Sequence, residues 1–305
     1  IDDRGPDLRV PPSPRSGKRR NQAEILALRQ LDAFDQFFTE IYDACEAMDI
    51  PADTLISEAG PGQFEINMMH QSDALKAADD AWLFKLLVKG VARKYGFAAS
   101  FMAKPYEDYA GNGMHMHFSV LNQQGRNIFD NGSTEGSEAL HHAIAGCLAG
   151  MAGSMLIFAP HASSYDRFVP GAHAPTALAW GYENRTTALR VPSGAPAARR
   201  IEHRVAGGDV NPYLLVASIL GAALTGIEGK LTPPTPTHGN AYDAASPHLP
   251  TTWGEAIAAF EDCQMTAQIF PRELVANYLA TKRQEMHYMA ELSPEEQMQL
   301  YLDTV

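Results

Sequence analysis

An α+β fold with a mainly antiparallel sheet is what this 305-residue sequence predicts. Strand-like runs that adjoin in sequence are joined by short turns, while the helical patterns cluster elsewhere instead of alternating with them. No internal repeat is visible. Segment 1–22, rich in Pro, Arg and Gly, reads as an exposed connector, and 23–305 as the folded domain. Periodicity predicts a helix from about Ala23 to Met48, with Leu26, Phe34, Phe37, Phe38 and Ile41 contributing to its apolar face. Two short strands follow, broken at Gly60-Pro61-Gly62. Ser72 and Asp73 offer an N-cap to a long helix reaching about Tyr95. "MHMHFSV" alternates as a strand, "NQQGRN" is a turn, and a helix rich in small residues runs from about Glu135 to Phe158. "TALAWGYENRTTALRVP" and "ARRIEHRVAGGDVNP" predict a strand pair. Helices at roughly 211–228, 252–262 and 271–303 complete the chain, interrupted by the Pro-rich "KLTPPTPTHGNAYDAASPHLP".

Bulk properties exclude several function classes. The net charge of -12 offers no basic field to attract nucleic acid. No apolar run reaches membrane-spanning length and no signal peptide opens the chain, so no membrane partner is expected. Cys45, Cys147 and Cys263 lie far apart and in no CxxC spacing, which points to a reducing, cytoplasmic compartment and gives no zinc or disulfide framework. Ile1 is not an initiator methionine, and the chain is expected to be the remainder of a longer protein.

Four polar clusters fall on strand-like segments or beside them. Glu58 and Glu65 flank a Gly-Pro-Gly turn. In "YAGNGMHMHFSV" the period of two puts His115, His117 and Ser119 on one face, with Met114, Met116, Phe118 and Val120 on the other. Arg167, Arg185 and Arg190 sit among alternating apolar residues, and several guanidiniums near one sheet face suit a polyanionic ligand. In "ARRIEHR" a strand would place Glu202 between Arg200 and Arg204 on one face, an arrangement unsuited to an apolar core without a partner. Each cluster alone also fits a bland alternative: a solvated hairpin, a polar sheet face or rim arginines paired with carboxylates. Three glutamates and a histidine together match magnesium or manganese, and such ions combined with arginines catalyse phosphoryl transfer from ATP. No Walker A sequence is present, so any ATP site belongs to another fold.

The segments "EAGPGQFEI", "FMAKPYEDYAGNGMHMHFS", "SSYDRFVPGAHAP", "WGYENRTTALRVP" and "RRIEHRVAGGDVNPYLLVASIL" resemble the glutamine synthetase catalytic domain in order and spacing. "VPPSPRSGKRR" and "GNGMHMH" look more like the branch of γ-glutamylpolyamine synthetases than the ammonia-using enzymes. The resemblance implies a curved antiparallel sheet with helices behind it, of guanidino-kinase-like type, and ring-like homo-oligomers, dodecameric in full-length relatives. It implies Mg2+ or Mn2+, and ATP as a substrate that phosphorylates the side-chain carboxylate of glutamate before an amine displaces phosphate. Carried over, Glu58 and Glu65 hold one metal, and His115 with Glu202 the other. His117 and Ser119 line the nucleotide side, and Arg167 and Gly111 the glutamate side. Arg185, Arg190 and Arg200 hold phosphate oxygens, and Arg204 the γ-carboxylate or transferring group. Arg185, Arg204 and His173 are the expected catalytic residues.

Three departures modify that expectation. "PGAHAP" places His173 where ammonia-using relatives carry a glutamate that binds ammonium. A neutral imidazole accepts a proton but lacks that fixed negative charge, so an amine other than ammonia is expected. Ala110 replaces an asparagine that contacts glutamate, and Ala197 replaces a lysine near the nucleotide. The family's β-rich N-terminal domain, of roughly a hundred residues, and its paired "ExE" strand are not in this sequence, so the isolated chain is expected to turn over poorly. Rival readings are a cupin, which needs a carboxylate soon after His117 that is not there, a guanidino kinase, and a non-catalytic assembly or ligand-sensing relative.

Overall fold

The computed structural model describes residues 1–2, 9–22, 24–243 and 246–305. The chain divides into two compact units, Ile1–Gly111 with Tyr301–Val305, and Asn112–Leu300. In the first, α1 (Leu28–Ala33) and α2 (Asp35–Ala47) lead to the antiparallel hairpin β1 (Ala52–Ser57) and β2 (Phe64–Met68), then to α3 (Ala74–Lys94). The expected helix start at Ala23 lies outside the described residues. Where one helix was expected, Phe34 breaks it in two, with φ -118° and ψ 16°. The break serves burial: Phe34 stacks edge-on to Phe64 at 5.2 Å, and Phe38 to the same ring at 4.8 Å. Ile41, Cys45, Leu87, Val91 and Phe97 complete this core.

The expected connector takes part in this unit. Asp2, Val10 and Ser13 are buried, and the Ser13 hydroxyl donates to the Ala33 carbonyl at 2.8 Å. Asp73 caps α3 as its position in the sequence suggests, its carboxylate accepting from the Leu75 amide at 2.8 Å and the Lys76 amide at 3.3 Å. Asp73→Ala is expected to destabilise the chain by about 1 kcal/mol, read as a lower urea midpoint.

In the second unit, β3 (Met116–Phe118), β4 (Trp180–Tyr182), β5 (Leu189–Val191) and β6 (Ile201–His203) form one sheet in the order β3-β6-β5-β4. β6 runs antiparallel to both neighbours, so the sheet is mainly antiparallel. β4 and β5 run parallel across a short loop, which neighbouring runs in sequence do not predict. Glu183, at φ 50°, turns the chain out of β4, and the Asn184 side chain accepts from Thr186 Oγ1 at 2.6 Å to shape the loop. Behind the sheet lie α4 (Glu138–Met151), α5 (Met155–Phe158) and α6 (Pro212–Glu228), with the Phe158 ring 4.7 Å from the buried imidazole of His203.

α7 (Trp253–Asp262), α8 (Gln264–Ile269), α9 (Arg272–Met289) and α10 (Pro294–Thr304) follow. The expected helix at 271–303 is broken before Pro294, which disfavours helical backbone at the preceding residue. Ser293 there forms a capping pair with Glu296. The expected helix at 135–158 is likewise interrupted between α4 and α5. Gly153 lies there so close to Cys263 that a Cβ would sit 2.3 Å from its sulfur. Among the described residues no helix is long and apolar enough to cross a membrane.

Candidate functional site

The site is built on the β3–β6 pair. Register sets His117 opposite Glu202 and Met116 opposite His203, so the faces expected from the two-residue period are the ones formed. His115, His117 and Ser119 are exposed, whereas Phe118 is buried behind them. Glu202 is almost wholly buried at its centre. Its Oε1 accepts from Arg204 Nη1 at 2.6 Å, and its Oε2 from Arg190 Nη1 at 2.8 Å. His115 Nδ1 lies 3.5 Å and His117 Nε2 3.9 Å from Oε1. Arg200 Nε donates to His117 Nδ1 at 3.1 Å. Arg167 ends a short 3-10 turn and donates to the Val205 carbonyl at 2.6 Å. Gly113 brings the two sides together: a Cβ there would lie 2.8 Å from Arg167 Nη2 and 3.0 Å from His115 Nε2. The glycine before the HxH strand therefore makes room for side chains of the site.

Charge in this cluster is fixed by its surroundings. Burial pushes the Glu202 carboxyl up, but Arg204 and the hydrogen bond from Arg190 outweigh it and hold it at about 2. Although both imidazoles reach solvent at one edge, the protein packed around them strips water from the rest: this desolvation, aided by Arg204 and Arg167, pushes His115 down to about 3, and desolvation lowers His117 as well. Burial also lowers Arg167 to about 10, which leaves it charged at neutral pH. At pH 7 the face thus presents two neutral imidazoles, one ionised carboxylate and a surplus of guanidinium charge.

Arg185, His173 and Ser119 belong to the same unit and are exposed. His173 holds φ 60° just after the Gly171 turn at φ 82°, a conformation rare for a residue with a side chain. Glu58, Glu65 and Gly111 belong to the first unit. Ile56 pairs with Glu65 and the Glu58 amide bonds to the Gln63 carbonyl at 3.0 Å, which places both glutamates on one hairpin face as diagonal neighbours. The Gly111 carbonyl accepts from Gln63 Nε2 at 3.0 Å.

Two acidic residues escape the sequence reading. Glu183 is the second carboxylate partner of Arg190, at 3.1 Å, and it also accepts from the Ser193 amide. Asp209 accepts from Ser164 Oγ and lies 3.2 Å from His161 Nδ1, tying down the turn that carries Arg167. Their one signal is adjacency, Glu183 within "YENR" and Asp209 within "GGDVNP".

Among the described residues no group of three or more His, Cys, Asp or Glu is gathered to hold a metal ion. Glu202 ionised and His115 neutral are nevertheless in the protonation states a divalent cation needs. Both carboxylate oxygens already accept from guanidiniums, so the pair fits as part of a ligand set that water and phosphate oxygens would complete.

Comparison with known proteins shows the family. The profile of the family described as "Glutamine synthetase, catalytic domain" matches residues 3–301. The chain is 36% identical to γ-glutamylputrescine synthetase of Escherichia coli, over 97% of its own length and 62% of the relative's. It is 42% identical to γ-glutamylethanolamide synthetase of Streptomyces coelicolor, over 75% of this chain and 49% of that one. With glutamate–isopropylamine ligase of a Pseudomonas species the figures are 38%, 82% and 55%. The chain therefore spans roughly half to three-fifths of these relatives. Among solved structures, a GmaS/ADP complex superposes with TM-score 0.82 at 29% identity, covering 91% of this chain and 66% of that one. The family uses ATP and a divalent metal. This chain belongs to the glutamine synthetase catalytic-domain family, on the branch of the amine ligases.

Proposed function

We propose that this chain carries the catalytic face of an ATP-dependent ligase that joins glutamate to an amine other than ammonia through a γ-glutamyl phosphate. The observation that supports it most is the guanidinium surplus around Glu202, which suits the phosphates of ATP and the negative charge that develops during acyl phosphate formation. In the first step the γ-carboxylate of glutamate attacks the γ-phosphorus of ATP and ADP leaves. In the second the amine attacks the acyl carbon, phosphate leaves and the amine gives up a proton. Arg190, Arg200 and Arg185 hold phosphate oxygens, with His117 and Ser119 on the nucleotide side. Arg204 bears on the transferring group, and Arg167 and Gly111 bind glutamate. Glu202 and His115 would hold one divalent cation, and Glu58 and Glu65 another, supplying positive charge to the phosphate oxygens. His173 takes the amine proton. The protein works as a ring-like homo-oligomer in the cytoplasm.

The relatives named for putrescine, ethanolamine and isopropylamine set the panel for the test, which is amine-dependent phosphate release from Mg-ATP and glutamate. We expect at least one organic amine to exceed ammonium. The absolute rate should be low, because among the described residues no complete metal-ligand group is gathered. A rate highest with ammonium would refute the amine assignment. Failure to bind Mg-ATP at millimolar concentration would favour the assembly or sensing role instead. Restoring the fixed negative charge by His173→Glu should shift preference toward ammonium by about tenfold, on the scale of one charge-assisted contact. Unchanged preference would remove His173 from the amine site.

A further inference from the structure

Arg200 reaches the site from the end of a loop that has little packing of its own. Residues 193–198 are all exposed, and their one regular feature is a 3-10 turn at Pro196–Ala198. What holds the loop comes from elsewhere in the same unit. Asn127 follows the tight turn after β3, and its Nδ2 donates to the Arg199 carbonyl at 2.7 Å and to the Ala197 carbonyl at 3.2 Å. The Arg199 side chain points the opposite way from Arg200. Its Nη2 donates to the Ser133 carbonyl at 2.7 Å and its Nη1 to the Thr134 carbonyl at 2.9 Å, while Nε lies 3.7 Å from Asp130 Oδ1. Gly136, at φ 86°, leaves space for this: a Cβ would lie 3.0 Å from Arg199 Cδ.

We infer that Asn127 and Arg199 are positioning residues for nucleotide binding, clamping the 193–200 loop to the 127–136 segment so that Arg200 is presented beside His117. The inference rests on the reading of this face as an ATP site. β3 and β6 are three residues long, and their ladder is too short to fix a flanking loop. The clamp replaces it with side-chain bonds to backbone carbonyls, whose partners belong to segments 60 or more residues apart in sequence. Arg199 thus does not take over the positive charge lost at Ala197. Its guanidinium is committed to Ser133, Thr134 and Asp130, and it acts through Arg200.

The test uses the full chain with Asn127→Ala, Arg199→Met and Arg199→Lys, titrated calorimetrically with Mg-ATP, with backbone hydrogen exchange of 193–200 followed in parallel. Arg199→Met keeps the aliphatic stem, and thermal melting identifies any variant that has unfolded. We expect Asn127→Ala and Arg199→Met to weaken Mg-ATP binding about tenfold, the scale of losing one or two hydrogen bonds. Exchange in the loop should accelerate while exchange in α4 and α6 stays as in wild type. Arg199→Lys, which reaches one carbonyl, should recover part of the affinity. Wild-type affinity in Arg199→Met would overturn the clamp and leave the ATP reading standing. A wild-type chain that does not bind Mg-ATP would overturn both.

Discussion

Glu202→Gln is expected to destabilise the chain by about 3–5 kcal/mol at pH 7, the range for breaking a buried ion pair from one side. The carboxylate is 3% exposed and accepts from two guanidiniums, of which Arg204 is equally buried. Glutamine keeps the volume but turns a donor toward a donor, and takes from buried Arg204 and partly buried Arg190 the carboxylate they share. The pH dependence carries the same signature. The Glu202 pKa is held at about 2 against an ordinary 4.5, so its stabilisation is complete above 4.5 and is lost as pH falls through about 2. His115 works in the same direction: its folded pKa of about 3 lies below its ordinary 6.5, so the unfolded chain takes up that proton first as pH falls. In metal-free buffer the gap between wild type and Glu202→Gln should therefore shrink by about 2 kcal/mol between pH 7 and pH 3. Urea midpoints at the two pH values measure it. A variant as stable as wild type at pH 7 would mean that the guanidiniums do not depend on this carboxylate.

The part of the site that lies on strands was legible because a strand writes its faces into the sequence. His115 and His117 alternate with apolar residues, Glu202 alternates with arginines, and the β3–β6 register brings the two polar faces onto one side. Five separated motifs then agreed on one family. What was not legible depends on backbone partners. Asn127 and Arg199 bond to carbonyls, which every residue possesses, so no pattern of side chains marks their targets. The parallel pairing of β4 and β5 is hidden for a similar reason: two three-residue runs carry no directional signal, and the left-handed Glu183 that permits it belongs to a residue type that seldom takes that conformation. Helix boundaries failed where tertiary burial outweighed local propensity, as at Phe34. At Pro294 the break was written in "ELSPEE", but a continuous apolar period concealed it.

Gly226→Ala should lower stability by about 3 kcal/mol, even though alanine is the better helix former by about 1 kcal/mol. α4 and α6 meet backbone to backbone. A Cβ on Gly226 would lie 2.1 Å from the His142 carbonyl oxygen and 2.7 Å from Gly146 Cα, and one on Gly146 would lie 2.1 Å from the Ala222 carbonyl oxygen. No side chain can rotate aside to relieve contacts with backbone, so the helices must separate and the buried surfaces around them lose contact. Gly90→Ala is the internal control. Gly90 lies in the interior of α3 with nothing within 4 Å of its ideal Cβ, so the same substitution should stabilise by roughly 0.5–1 kcal/mol. Opposite signs in the two urea midpoints would separate close approach from helix propensity, whereas a stabilised Gly226→Ala would show that α4 and α6 are free to move apart. Displacement of this pair also reaches the site. α6 begins just after the buried run 201–210, which contains Glu202 and Arg204, and α5, joined to α4, supplies the Phe158 ring against His203. In Gly226→Ala, Mg-ATP affinity should therefore fall together with stability, whereas in Gly90→Ala it should not change.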